Sequence, residues 1–137
     1  IIPKNTNFFI FYFCIKTNIV GIIKVTNIQV YAYHGCLVEE GKIGSDYRVD
    51  VAVKANLQPS AASDHLKDTV DYVQINRIVK EEMAIRSKLL EHVGKRILDR
   101  ILNEIEIAEE ATVEVSKINP PIGGNVEQVT IEMTLTR

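Results

Sequence analysis

Apolar and polar residues alternate along most of this chain, and the rhythm changes to a helical one only in the middle. Ile23 and Val25 set one parity and Ile28 and Val30 the other, so a strand is predicted over 22–33. The slip around Asn27 is what a β-bulge absorbs. Tyr47 to Leu57 is the clearest strand. Tyr47, Val49, Val51, Val53, Ala55 and Leu57 take one face, and Arg48, Asp50, Ala52, Lys54 and Asn56 the other. One apolar and one wet face predict an antiparallel sheet covered on one side. After a connector over 59–68, Ile75, Ile78, Val79 and Met83 fall at helical spacing. Asp71 is placed to cap that helix, with Gln74 three residues on. Arg86-Ser87-Lys88 interrupts the pattern. Leu90, Val93, Ile97, Leu98, Ile101, Leu102 and Ile105 then form a second apolar stripe. A third strand is predicted over 111–117, with Val113 and Val115 inward. A last strand points Val129, Ile131, Met133 and Leu135 inward. Between them, Asn119-Pro120-Pro121-Ile122-Gly123-Gly124 forbids regular pairing. The predicted class is α+β: an antiparallel four-stranded sheet with two helices on one face, in the order ββααββ.

Four polar positions stand out from this pattern. Lys117 shares the inward parity of Val113 and Val115, so it must snorkel to solvent, pair with an acid or work in a cleft. Glu91 opens the second helix, where a carboxylate also suits the helix dipole. Tyr72 opens the first helix and is equally suited to closing the core. Glu40 lies in the loop, with Gly35, Glu39, Gly41 and Gly44, that follows the break after the first strand. Taken singly, each has an ordinary structural explanation. Together they are a carboxylate able to take a planar ligand's paired N–H donors and a lysine, phenol and second carboxylate able to move protons.

Composition narrows the class without naming a chemistry. At 137 residues, residues 21–137 are expected to form a single domain, with 46% hydrophobic and 25% charged residues overall. A net charge of −2 and a pI near 5.9 argue against a nucleic-acid partner. Residues 1–20 differ from the rest. Phe8 to Ile15 is an aromatic-aliphatic block, too short for a bilayer span of about 20 residues. It has the length of a signal-peptide core but no small-residue cleavage site after it, so 1–20 is expected to be an atypical leader outside the fold, with no membrane partner. Cys14 and Cys36 make neither a metal spacing nor a disulfide framework, which suits a reduced, cytoplasmic protein. His34, His65 and His92 lack the tight pairing of a zinc site, so no metal and no cofactor are expected.

His34-Gly35 with Glu40 six positions after the histidine, Thr69-Val70-Asp71-Tyr72, Leu89-Leu90-Glu91-His92 and Lys117-Ile118-Asn119-Pro120-Pro121 together resemble the dihydroneopterin aldolase family, over about Ile22 to Arg137. The resemblance implies the tunnelling fold and a retro-aldol cleavage in folate biosynthesis that uses neither metal nor Schiff base. It implies that Glu91 and the Leu90 backbone hold the pterin, that Lys117 moves protons, that Tyr72 binds the substrate and protonates or orients the enol-like intermediate, and that Glu40 holds the substrate's hydroxyls and Lys117. It further implies a homo-oligomer, a tetramer ring or octamer, with sites between subunits. Alternatives of different kinds are a 2′-epimerase of the same family, a zinc-dependent pterin synthase of the same fold, and a ring protein that binds a pterin or purine without turning it over.

Overall fold

The computed structural model describes residues 17–137; residues 1–16, most of the expected leader, lie outside the described residues. Nine elements follow one another. They are β1 (Val20–Ala32), α1 (Val38–Ile43), β2 (Ser45–Asn56), α2 (Gln58–Ser63), a 3₁₀ turn (Leu66–Asp68), α3 (Tyr72–Met83), α4 (Leu90–Glu104), β3 (Glu110–Ile118) and β4 (Gln128–Thr136). The strands form one sheet in the order β1-β2-β3-β4, every pair antiparallel. The α+β reading therefore holds, with α3 and α4 against one face. Val49, Val51 and Val53 of β2 and Val113 and Val115 of β3 meet Ile75, Ile78, Val79 and Met83 of α3 and Val93, Ile97, Leu98 and Ile101 of α4 in one buried core.

The expected bulge lies between Val25 and Ile28, where the β1–β2 register shifts. Asn27 takes a left-handed φ of 57°, and its N–H donates to Asp50 Oδ1 at 2.7 Å. Asp71 caps α3 by accepting from Val73 N at 2.9 Å. Gln74, at the third helical position, makes no return hydrogen bond to the Asp71 backbone, so the cap is the Asp71 side chain alone. Gly94 sits in mid-helix, where glycine costs about 1 kcal/mol against alanine. An added Cβ would lie 3.2 Å from Ile131 and 3.3 Å from Met133, so its absence lets α4 lie close on β4. The α3–α4 hairpin is closed by the buried carboxylate of Glu82, which accepts from Arg96 and from Arg100 at 3.0 Å each.

Two loops read from the pattern contain short helices. Residues 38–43 turn as α1, with Glu39 and Glu40 at its positive end and Gly44 stopping it at φ 79°. Pro59 starts α2, where its missing N–H costs nothing. Six residues are too few to carry an apolar period, so neither helix was visible as one. On β4, Ile131, Met133 and Leu135 pack against the core as expected, whereas Val129 is exposed at the mouth of a cleft. Among the described residues, no helix is long and apolar enough to cross a membrane.

Candidate active site

The cleft opens where β1 ends. After Ala32 the chain turns through His34 and Gly35 into α1, laying the Glu40 carboxylate against Gly35. Glycine is required there twice. Its φ is +140°, and a Cβ would collide with the Glu40 carboxyl group. On the neighbouring strands Tyr47 and Lys117 are direct partners in the β2–β3 register. Both point to the buried face, Tyr47 being 2% and Lys117 6% exposed. Lysine is rarely buried unless paired, and Lys117 is paired with the Glu40 carboxylate. Its Nζ also donates to the His34 carbonyl at 2.9 Å and lies 5.7 Å from the centre of the Tyr47 ring. The Tyr47 hydroxyl donates to the same carbonyl at 2.8 Å.

The charges of this pair follow from their surroundings. Burial alone would lower the Lys117 pKa, but the hydrogen bond to Glu40 and the neighbouring Tyr47 outweigh it and raise it. Burial alone would raise that of Glu40, but the Lys117 hydrogen bond, the Leu37 N–H and the Arg86 charge hold it below the usual carboxylate range. The site rests as ammonium and carboxylate. Tyr47 is pushed up by burial, so its hydroxyl keeps its proton.

His34 is fully buried behind this pair. Its Nδ1 accepts from Ser87 N at 3.0 Å, which leaves the proton on Nε2, an atom with no hydrogen-bond partner among the described residues. Burial first, then the charges of Arg96 and Lys117, lower its pKa from 6.5 to about 4. The folded chain thus excludes a proton that the unfolded chain binds between those values, and stability falls as pH drops through that window by about 3 kcal/mol in all. Urea titrations at pH 7 and 5 check this. His34→Gln should show a smaller drop between the two than the parent chain, and an equal drop contradicts the assignment.

A cleft of about 380 Å³ spreads from Lys117 and Glu40 across Leu89, Leu90 and Glu91 to Pro120, Ile122 and Val129. Glu91 is exposed in it, and its carboxylate has no side-chain or ionic partner among the described residues. Leu89 stands at the N-cap of α4 and supplies no side-chain cap; the His92 N–H is taken by the Leu89 carbonyl at 3.2 Å, which leaves the Leu90 and Glu91 N–H groups for a ligand. The structure therefore brings Lys117, Glu40, Leu90 and Glu91 to one cavity. It does not bring Tyr72, which is 64% exposed at the start of α3 and does not line the cleft. Pattern reasoning passed over Tyr47 and the His34 carbonyl, because only the strand register places them against Lys117. Cys36 also lines the cleft, its Sγ 3.6 Å from the Lys88 carbonyl. Among the described residues no group of three or more His, Cys, Asp or Glu side chains converges as metal ligands would.

The family model and the curated relatives agree on one family. The family model described as FolB, dihydroneopterin aldolase, matches residues 23–134. A dihydroneopterin aldolase of Staphylococcus epidermidis is 37% identical over 113 residues, covering 82% of this chain and 93% of its own length. A FolB structure from Vibrio cholerae superposes with a TM-score of 0.79 at 18% identity, over 87% of this chain and 99% of that one. The Escherichia coli dihydroneopterin aldolase, crystallised with neopterin, gives 0.76 at 19% identity, over 84% and 98%. At such identities these two structures speak for the fold.

Proposed function

The chain belongs to the dihydroneopterin aldolase family and is an aldolase of folate biosynthesis, and from that premise we propose that the Lys117–Glu40–Glu91 cleft splits 7,8-dihydroneopterin into 6-hydroxymethyl-7,8-dihydropterin and glycolaldehyde. The observation that carries the assignment of roles is the buried Lys117–Glu40 pair facing the unpaired carboxylate of Glu91 across one cavity. Glu91 takes the amino-pyrimidinone edge of the pterin through two parallel N–H donors, beside the Leu90 backbone. The three-carbon side chain then points at Lys117 and Glu40.

The chemistry needs no outside reactant. The 2′-hydroxyl passes its proton to the Glu40 carboxylate as the C1′–C2′ bond breaks, and the Lys117–Glu40 pair returns it toward the ring. C2′ and C3′ leave as glycolaldehyde, and the bonding pair moves through C1′–C6 onto N5 of the ring imine. N5 takes a proton, giving an enol-like intermediate. C1′ is then protonated as N5 loses its proton, which restores the imine and completes the hydroxymethyl product. Lys117 is an ammonium before substrate arrives, so it serves as the acid toward the ring, directly or through one water. Glu40 accepts hydrogen bonds from the side-chain hydroxyls and keeps Lys117 charged.

Tyr72 is assigned the proton delivery that releases product, reaching the cleft from a neighbouring subunit of a homo-oligomeric ring. Its exposure and its absence from the cleft lining of a single chain support that reading. Tyr72→Phe and Lys117→Ala should each be inactive as pure proteins, whereas co-expression of the two should recover activity from mixed rings with one intact site. Inactive mixed assemblies would contradict a shared site. Product chromatography separates the aldolase from a 2′-epimerase: glycolaldehyde and hydroxymethyldihydropterin should appear in equal amounts, and the epimer alone would overturn the reading.

A further inference from the structure

The residues that hold Glu40 and Lys117 in place converge on a side chain outside the cleft chemistry, Arg86. It stands in the turn between α3 and α4, and its guanidinium spans to the Tyr33–Leu37 loop. Its Nε donates to the Tyr33 carbonyl at 3.0 Å, and one terminal nitrogen donates to the carbonyls of Gly35 and Leu37 at 3.0 Å each. The carbonyl between the first two, that of His34, faces the other way and accepts from Lys117 and Tyr47. The loop is thus clamped from two sides, odd-numbered carbonyls on Arg86 and the even-numbered one on the lysine. The Leu37 peptide joins the two halves, because its carbonyl accepts from Arg86 while its N–H donates to Glu40 Oε1 at 3.2 Å. The turn is also tied through its backbone, with Gly35 N donating to the Ser87 carbonyl at 3.0 Å.

We propose that Arg86 is a positioning residue for the aldolase reaction, holding the loop that sets Glu40 and the His34 carbonyl against Lys117. The proposal rests on the functional reading above. A planar fork of donors makes these contacts from one side chain, and lysine's single point of donation cannot span three carbonyls. Gly41 leaves the space for it, since a Cβ there would lie 2.6 Å from the guanidinium carbon. Arg86 also adds its charge to the field that keeps Glu40 ionised. The other titratable groups around that carboxylate are Lys117 from β3, Tyr47 from β2, and Lys88 and Glu91 across the cleft.

The test compares Arg86→Gln, Arg86→Lys and Gly41→Ala on the full chain, measuring kcat, KM, the pH profile of kcat and pterin affinity. Misplacing a catalytic pair by about 1 Å costs about a hundredfold. Each variant should therefore lose about 10- to 100-fold in kcat, with pterin affinity within about threefold because Glu91 is untouched. Arg86→Lys should not rescue. The acid limb of the kcat profile should move to higher pH in Arg86→Gln, which a loss of folded protein alone would not produce. Gly41→Ala combined with Arg86→Gln should be no worse than Arg86→Gln alone, since both remove one contact. An unchanged kcat and acid limb in Arg86→Gln, or losses that multiply in the double variant, overturn the positioning role. If the parent chain does not cleave dihydroneopterin at all, the functional reading fails and this role falls with it. Normal cleavage by the parent with indifferent Arg86 variants sinks the positioning role alone.

Discussion

Lys117→Ala should abolish turnover of dihydroneopterin almost completely while leaving the pterin bound. General acid catalysis by a placed side chain contributes about 10²- to 10⁴-fold, or about 3–5 kcal/mol of barrier. Lys117 also stabilises negative charge as the bonding pair reaches the ring, so the loss belongs at the upper end of that range. Binding rests elsewhere, on a carboxylate across the cleft at the start of α4. The pterin dissociation constant should therefore change by less than about tenfold while kcat falls by orders of magnitude. Removing the ammonium leaves Glu40 with the Leu37 N–H and Arg86 as its remaining partners. Its pKa should then rise toward the ordinary range. Fluorescence titration with a pterin alongside single-turnover kinetics separates the two effects. Parallel loss of binding and rate would count against the assigned roles, and so would an active variant.

The opposite signature is expected at Glu91. Its side chain is exposed and makes no side-chain hydrogen bond or ion pair among the described residues, so little folding stability depends on it. An acid in the first turn of a helix is worth about 0.3–1 kcal/mol. Against a pterin it accepts two charge-assisted hydrogen bonds, each worth about 1.5–3 kcal/mol. Glu91→Ala should therefore weaken pterin affinity by about a hundredfold or more, with kcat at saturation much less affected. Equilibrium binding decides it. An unchanged dissociation constant would move the anchor elsewhere in the cleft, and a fall confined to kcat would make Glu91 part of the proton chemistry.

The contrast between these two residues matches what could be seen of each in the chain. Lys117 was legible because strand parity is rigid: alternate residues of a strand must share a face, and a lysine in step with Val113 and Val115 cannot avoid the core side. The four strands and two long helices were legible for the same reason, through periods of two and of 3.6 sustained over many residues. Asn27 announced its bulge by breaking one of those periods. Tyr47 was read only as a core residue, because its place opposite Lys117 depends on how β2 and β3 register, and no local pattern encodes that. Arg86 appeared merely as an interruption between two helices, since its three carbonyl partners lie about fifty positions earlier. Glu40 was placed in a loop and proved to sit in the first turn of a helix too short to show a period. Tyr72 was readable as part of a motif, but its position away from the cleft is a property of three-dimensional placement alone.

These roles meet in one measurable event, the breaking of C1′–C2′ with the electron pair carried by the pterin itself. The direct measurement is turnover of 7,8-dihydroneopterin in heavy water, with both products isolated and their carbon-bound deuterium determined. The 6-hydroxymethyl-7,8-dihydropterin should carry one deuterium on its hydroxymethyl carbon and the glycolaldehyde none on carbon. The two should form in equal amounts, at a rate that Lys117→Ala lowers by at least about a hundredfold. Hydroxymethyldihydropterin without solvent deuterium, or the parent rate in Lys117→Ala, would contradict cleavage through a ring-stabilised intermediate at this cleft.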